Sequence, residues 1–424
     1  MVNVNLQGAL TNMREMHDHI DQEFDGETGR YQSINLVSYF LFAVGPLVGN
    51  AVLVLLGAIS TDFIVDPTRV LSAIPAFMFP FAIVQLFSGA ISDIYGRVPV
   101  IVGGLLIFAS GLFMTAYATT LDIFIIGNFV SGSGFGFVNP VLLALLTDSA
   151  TPKDIPKRMG IAAALASLSV GLGPFIAGQM VTLGWQIYYL MFMIIVIVGL
   201  VAVSIVNRPP KTEERGPALR LFIAHLRGEL RKPVVLLILV TTFLVALSYL
   251  GVFVWTPRGL TGVVNDSTIG LLLLGGGISG AIAGSILSTL SRKRGFVLPV
   301  GLAFIALFLG LTIFIIIGDF TATSSITLVG LALICVGWAG GLLFPTMITF
   351  SQIISPERRG VLAGTVTFAF FLGSALVPIM FEPFFLSGIV AVYVGMFAVS
   401  AILLVFFIIL YRQPALVHHN RLAS

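Results

Sequence analysis

Twelve runs of about 20 predominantly apolar residues follow one another between residues 34 and 411, separated by short polar connections. A helix of that length crosses the ~30 Å hydrocarbon layer of a bilayer. With no water available there, a crossing segment has to satisfy its own backbone donors and acceptors, and a helix does so unaided. The two-residue alternation of a barrel strand is absent from the sequence. An all-α membrane protein of twelve transmembrane helices is therefore expected. Composition agrees, with 57% of the 424 residues hydrophobic and 10% charged, against about 45–50% and 25% in soluble domains.

The charges orient the chain. With both termini in the cytoplasm, 20 of the 22 Lys and Arg residues fall on that side and only Arg69 and Arg258 face out, as the positive-inside rule requires. Residues 1–33 hold no short apolar core or small-residue cleavage site, so the first span is expected to serve as its own insertion signal. Leu6, Leu10, Met13, Ile20 and Phe24 recur there at helical spacing, which reads as a solvated tail or as an amphipathic helix on the inner leaflet. The single cysteine, Cys335, lies inside a span, which excludes an intramolecular disulfide and a cysteine metal cage. No cofactor is expected.

The chain also reads as a duplication. Gly89–Arg97, GAISDIYGR, joins two apolar runs, and GSILSTLSR, Gly284–Arg292, stands 195 residues later in an equivalent connection. Gly132, Gly136 and Pro140 of span four match Gly337, Gly341 and Pro345 of span ten at an offset of 205. Gly160 and Gly173 of span five match Gly360 and Gly373 of span eleven at 200. Two pseudo-symmetric six-helix bundles follow, residues 34–206 and 233–411, joined by a linker at 207–232 and ending in a tail at 412–424. Such internal repeats are typical of carriers, whose sites lie between the repeats. The linker opens with Pro209 and Pro210. It then sets Leu219, Phe222, Ile223, Leu226 and Leu230 in an apolar stripe flanked by Arg220, Arg227 and Arg231, the pattern of a basic helix lying in the interface. It reads either as a strap on which the halves rock or as an inert connection.

Gly89-x-x-x-Asp93-x-x-Gly96-Arg97 resembles the loop 2–3 signature of the major facilitator superfamily, twelve-helix type. Gly173-Pro174-Phe175-Ile176-Ala177-Gly178 in span five resembles the antiporter signature of its drug-efflux branch. Pro99-Val100 and Gly184-Trp185 are similar to the bicyclomycin-resistance type of drug:proton antiporter. Val98 stands where a second basic residue is usual, and Ala177 replaces a usual glycine. The resemblance covers residues 34–411. It implies the superfamily's fold, alternating access, a small-molecule substrate, a lipid bilayer as the setting, protons as a possible second partner and a monomeric state. It further implies that Asp93 faces the start of span eleven near Gly360.

Gly89 and Gly96 permit a tight turn and close helix approach. Arg97 is placed to pair with Asp148 at the inner end of span four, and with Asp93 these residues are expected to latch the inner side in one state. The alternative makes Arg97 a topology charge. Pro174 removes a backbone donor from span five, and Gly171, Gly173 and Gly178 leave a smooth face, read as a seal between the halves or as a routine kink. Gly276, Gly280 and Gly284 in span eight, with Gly45 and Gly49 in span one, read as packing seams.

The departures from the family pattern matter as much. Asn128 stands where the family usually carries an arginine, and span one offers Asn50 but no acid. Every Asp and Glu falls at a span end or outside the spans, whereas ion coupling usually relies on ionisable groups within the membrane. Glu382, near the outer end of span eleven, is the remaining candidate proton carrier, or else an interfacial acid facing water. The cavity that the resemblance implies, between spans one, four, seven and ten, is expected to present Asn50, Asn128, Asn139, Tyr249, Trp338 and Thr346 among phenylalanines. That lining suits a lipophilic molecule, although each residue reads equally as helix packing. Asn265-Asp266-Ser267 forms a glycosylation sequon, relevant only in a eukaryotic secretory pathway. The expectation is a secondary transporter in the cell membrane that exports a small lipophilic molecule, with or without proton exchange. An uncoupled facilitator and a transport-inactive sensor or scaffold are the rivals. An enzyme or a nucleic-acid binder is not expected: no acid, histidine or metal cluster lies mid-membrane, and no loop carries a phosphate cradle.

Overall fold

The computed structural model describes residues 32–150, 154–205, 218–320, 325–414 and 416. Twelve of its helices are long and apolar enough to cross a membrane. Span one is Gln32–Phe63, span two Ala73–Tyr95, span three Arg97–Ala116, span four Leu121–Asp148, span five Ile155–Met180 and span six Trp185–Ile205. Span seven is Pro233–Leu260, span eight Asp266–Arg294, span nine Val297–Ile317, span ten Ser325–Ile354, span eleven Arg359–Phe385 and span twelve Ile389–Tyr411. A linker helix, Ala218–Leu230, lies between spans six and seven. Apart from one bridge between Thr261 and Val264, no strand occurs among the described residues. The helical stripe in the first segment and the Pro209-Pro210 pair lie outside them.

Local chemistry sets several boundaries. Spans two and three meet at Gly96, whose φ of 93° is open to glycine and strained for other residues. Gly184, at φ 103°, does the same before span six. Thr120 caps span four by accepting from the Ile123 N–H, and Asn265 caps span eight by accepting from the Thr268 N–H at 2.8 Å. The side-chain oxygen of the sequon asparagine is thus engaged in ending a loop.

The internal repeat is visible as packing. A Cβ on Gly132 or Gly136 would strike the backbone carbonyl of Phe77 or the side chain of Val84 in span two. On the equivalent Gly337 or Gly341 it would strike the carbonyl of Gly276 or Gly280 in span eight. Small residues let these backbones approach, which is how helices gain contact in lipid, where hydrophobicity alone gives no drive to associate. A second pair of crossings repeats with knob and hole exchanged. In the first half the Phe135 ring of span four fills the space above Gly45 of span one; in the second, the Tyr249 ring of span seven covers Gly340 of span ten. Phe135 and Gly340 are themselves 205 residues apart, the offset of the span-four repeat.

The two halves touch unevenly. Towards the end opposite the linker, hereafter the far end, span five runs against span eight backbone to backbone. A Cβ on Gly171 would lie 2.6 Å from the Leu273 carbonyl oxygen, and one on Gly178 would lie 2.6 Å from that of Asp266. Towards the linker end, Gly89, Gly160, Gly360 and Gly364, on spans two, five and eleven, face open space. The backbone-to-backbone contacts between the halves thus lie at the far end, and none of these four glycines has such a neighbour at the linker end.

Candidate functional site

At the linker end of the first half, the tight turn at Gly96 folds span three back so that Arg97 lies between two carboxylates. Its Nη1 bonds Asp93 Oδ1 at 2.6 Å, and its Nε donates to Asp148 Oδ2 at 2.9 Å. Nη1 also donates to the Ser92 hydroxyl at 2.6 Å. The cluster thus ties the ends of spans two, three and four. All four residues belong to the first half, so in this state the group braces one bundle and does not bridge the two. Asp93 gives its carboxylate to Arg97 across the turn, while Gly89 and Gly360 look onto open space. The expected approach of Asp93 to the start of span eleven is absent from the contacts of the described residues.

A second basic residue, Arg158, completes this end and was not distinguishable in the sequence from an ordinary loop charge. It is buried, and its Nη1 donates to Asn35 Oδ1 at 3.0 Å, the Leu146 carbonyl at 3.0 Å and the Ser149 hydroxyl at 2.8 Å. Spans one, four and five are joined through that one guanidinium.

The six residues expected in the cavity divide. Asn128 is buried and donates to the Phe124 carbonyl one turn back at 2.9 Å. Thr346 is fully buried and donates to the Leu342 carbonyl at 2.7 Å. Both satisfy themselves on their own helices, within helix packing. Asn50 is half-buried and donates to the Pro46 carbonyl at 2.8 Å, while Asn139 and Trp338 are half-buried. Tyr249 packs its ring on Phe253, centroids 5.1 Å apart, and its hydroxyl has no hydrogen-bond partner among the described residues. Glu382 is exposed in the last turn of span eleven at the far end, among Phe381, Pro383 and Phe384.

What sequence reasoning missed is a row of rings that crosses from one half to the other. Phe77, Phe81 and Phe135 pack in the first half, with centroids 6.2 Å and 5.5 Å apart in turn. Phe81 meets Phe371 of span eleven edge-on at 4.6 Å, and the row continues through Phe370 to Phe344 of span ten. Among 35 phenylalanines nothing in the sequence singled out these six. One turn along span two from Phe81, Gln85 is buried with its Nε2 unpartnered among the described residues. An unpaired buried amide is costly, and this donor lies beside the rings, closed to solvent in the state described.

At the far end, span five packs against both halves. Gly173 and the Leu47 carbonyl of span one leave no room for a side chain between them, and a Cβ on Gly270 of span eight would lie 2.8 Å from the Pro174 carbonyl oxygen. Gln179 Nε2 donates to the Ser267 hydroxyl across the halves at 2.7 Å. Arg258, one of the two basic residues expected to face out, reaches the loop between spans one and two. Its Nε donates to Thr68 Oγ1 at 2.9 Å, its Nη2 lies 3.4 Å from Asp66 Oδ1, and its Cζ stands 4.9 Å over the Phe385 ring. A cleft of about 750 Å³ opens beside this seam, with Gln179 and Thr182 on one side and Asn265 and Asp266 on the other. Among the described residues no group of three metal-ligating side chains occurs.

The Asp66 carboxyl is held below its ordinary range, first by the Thr68 hydroxyl and then by the Thr68 N–H and Arg258, against a smaller opposing effect of burial. A carboxylate with a lowered folded-state pKa contributes above its unfolded value and loses that contribution as pH falls through the folded one. The Asp66–Arg258 contact is therefore expected to hold at constant strength from about pH 5 to pH 8. Thiol labelling of Thr182→Cys in a Cys335→Ser background, taken at each pH as a ratio to the labelling of a free small-molecule thiol, should not change over that range.

Twelve spans in two pseudo-symmetric bundles, packed backbone to backbone at the far end, have the architecture of a membrane carrier. Residues 36–378 match the Major Facilitator Superfamily, and the chain belongs to that family. It is 27% identical over 360 residues to the multidrug resistance protein MdtL of Salmonella heidelberg (strain SL476), covering 80% of this chain and 86% of that protein. Its identity to the MdtL of Klebsiella pneumoniae (strain 342) is 26% over 355 residues, with the same coverage. In fold it is similar to the crystal structure of a point mutant of the nucleoside transporter NupG. That match has a TM-score of 0.73 at 14% identity and covers 89% of this chain and 100% of the other.

Proposed function

We propose that this transporter exports small lipophilic molecules by alternating access. The linker end faces the cytoplasm of a cell-membrane protein whose termini are both inside, so the state described is inward-open. The observation that carries the reading is the aromatic row that joins the two halves through Phe81 and Phe371, with the unpartnered Gln85 amide one turn away on span two. An apolar lining with a few free hydrogen-bonding groups, here Gln85 and Tyr249, binds lipophilic molecules in preference to sugars or phosphates. The relatives named for multidrug resistance support the same substrate class. Residues 34–206 and 233–411 act as the two rocking units, and the monomer is the working form.

In this account Gly173, Pro174 and Gly178 seal the far end. Gly89, Asp93, Gly96, Arg97 and Asp148 govern closure at the linker end. Asp93 leaves Arg97, or shares it, to meet the start of span eleven when the halves approach. For coupling, Glu382 is the candidate proton carrier, and its exposed position in the last turn of span eleven favours a second reading in which transport is uncoupled. The chain is not an enzyme in either reading.

Two measurements test this. Cells expressing the protein should withstand several lipophilic inhibitors better than empty cells, and Gln85→Leu should change which compounds are resisted. No difference for any compound would remove the export reading. Vesicles carrying an imposed pH gradient should concentrate a resisted compound if protons drive export. Equilibration without accumulation would assign the protein to the facilitators.

A further inference from the structure

The linker helix is docked by one face and bare on the other. At 3.6 residues per turn, Phe222 and Glu229 lie within about 20° of one another around its axis. Both point inward: the Phe222 ring packs edge-on against Phe87 of span two at 6.0 Å, and the Glu229 side chain is 1% exposed. Glu229 Oε1 is 3.1 Å from Arg358 Nη1, at the start of span eleven, and 2.8 Å from Lys232 Nζ. Burial alone would push the Glu229 carboxyl up, but Lys232, Ser355 and Arg358 together hold it below its usual range. This helix therefore touches both halves at their open end, span two through Phe222 and the second half through Glu229.

Arg220 and Arg227 fall within about 20° of one another on the opposite face, roughly 180° from Glu229, and Arg231 follows directly after the helix end at Leu230. All three are exposed, and none of the ion pairs among the described residues uses them. Ile223, beside the row, is 48% exposed. Depth identifies what this face meets. Phe87 lies eight residues before the end of span two at Tyr95, about 12 Å along the helix. The helix thus packs beside the end of a membrane-crossing helix and not beyond it, the setting of an interfacial amphipathic helix.

We infer that the Arg220–Arg227–Arg231 row is a docking face for the headgroups of anionic phospholipids. Guanidinium groups match phosphate oxygens in geometry as well as charge, and the neighbouring Ile223 enters the acyl layer. Each basic residue near an anionic surface strengthens attachment by about fivefold. Because the helix spans the open mouth, bound lipid loads the one element that straps both halves there. The inference needs only the membrane setting and stands apart from the export reading.

The test is hydrogen exchange of residues 218–230 in the intact protein, held in nanodiscs of phosphatidylcholine with or without phosphatidylglycerol. Phosphatidylglycerol should slow exchange by about fivefold or more, and high salt should reverse the effect. The triple variant Arg220→Gln, Arg227→Gln, Arg231→Gln should respond less than about twofold, while the triple lysine variant keeps a clear response. Equal exchange of the native protein in both bilayers would overturn the proposal, as would an undiminished response of the glutamine variant. Inorganic phosphate slowing exchange equally in phosphatidylcholine discs would assign the row to a soluble anion and sink the lipid assignment. Should the glutamine variant undock its helix, seen as faster exchange in phosphatidylcholine alone, the salt reversal in the native protein still decides.

Discussion

Replacing Arg97 with glutamine is expected to leave the protein inserted at normal abundance and to lower transport about tenfold or more. The magnitudes separate the two consequences. Arg97 keeps 22% of its side chain exposed, and its partners Asp93 and Asp148 keep 40% and 30%. Solvent-accessible ion pairs contribute about 0.2–1 kcal/mol each, too little to unfold twelve packed spans. A carrier whose two states are nearly balanced is more sensitive, because 1–3 kcal/mol applied to one state shifts its population roughly 5- to 150-fold. The cluster is placed to exert such a bias, since it fixes the mutual position of three span ends beside the open mouth. Asp93→Asn should behave alike, and Ser92→Ala should cost less, because it removes one neutral acceptor. Resistance conferred by the variants, normalised to membrane abundance, is the readout. Native activity in both Arg97→Gln and Asp93→Asn would take the cluster out of the transport cycle.

How far the molecule could be read from its sequence depended on which physical constraint fixed each residue. The bilayer fixes span length, so twelve spans and their order were plain. Close packing in lipid demands glycine, so Gly132, Gly136, Gly337 and Gly341 betrayed the duplication, and they sit at equivalent crossings. Rotation about each helix axis left weaker marks. A polar residue inside a span can face a cavity or bond the carbonyl one turn back, and the sequence does not distinguish them; Asn128 and Thr346 take the second course. Arg158 looked like one more positive-inside charge and turns out to be buried. The ring row was hidden by the abundance of phenylalanine. Arg258 did carry a signal, being one of the two basic residues expected to face out, but charge sign alone does not name a partner.

Introducing a side chain at Gly171 is expected to pry open the far end, and the contrast with Gly160 on the same helix makes the prediction sharp. A Cβ at Gly171 would lie 2.6 Å from the Leu273 carbonyl oxygen, 2.9 Å from Leu274 Cα and 3.1 Å from Gly277 Cα. All three are backbone atoms of span eight in the other half, so no rotamer change relieves the overlap. Within a single bundle such crowding costs about 1–3 kcal/mol. Here the colliding helices belong to bodies that separate during the transport cycle, so the strain is released by moving them apart. Gly171→Val should therefore favour the far-end-open state roughly 5- to 150-fold over the native balance. Thiol labelling of Ser267→Cys, half-buried across the seam from Gln179, in a Cys335→Ser background should rise several-fold while transport falls. Gly160→Val, where a Cβ meets nothing within 4 Å, should leave labelling near native. Equal labelling in the two variants would mean that the span five–span eight seam does not set far-end closure. Loss of Gly171→Val from the membrane would mean that the seam holds the fold together in every state, and that the halves do not part along it.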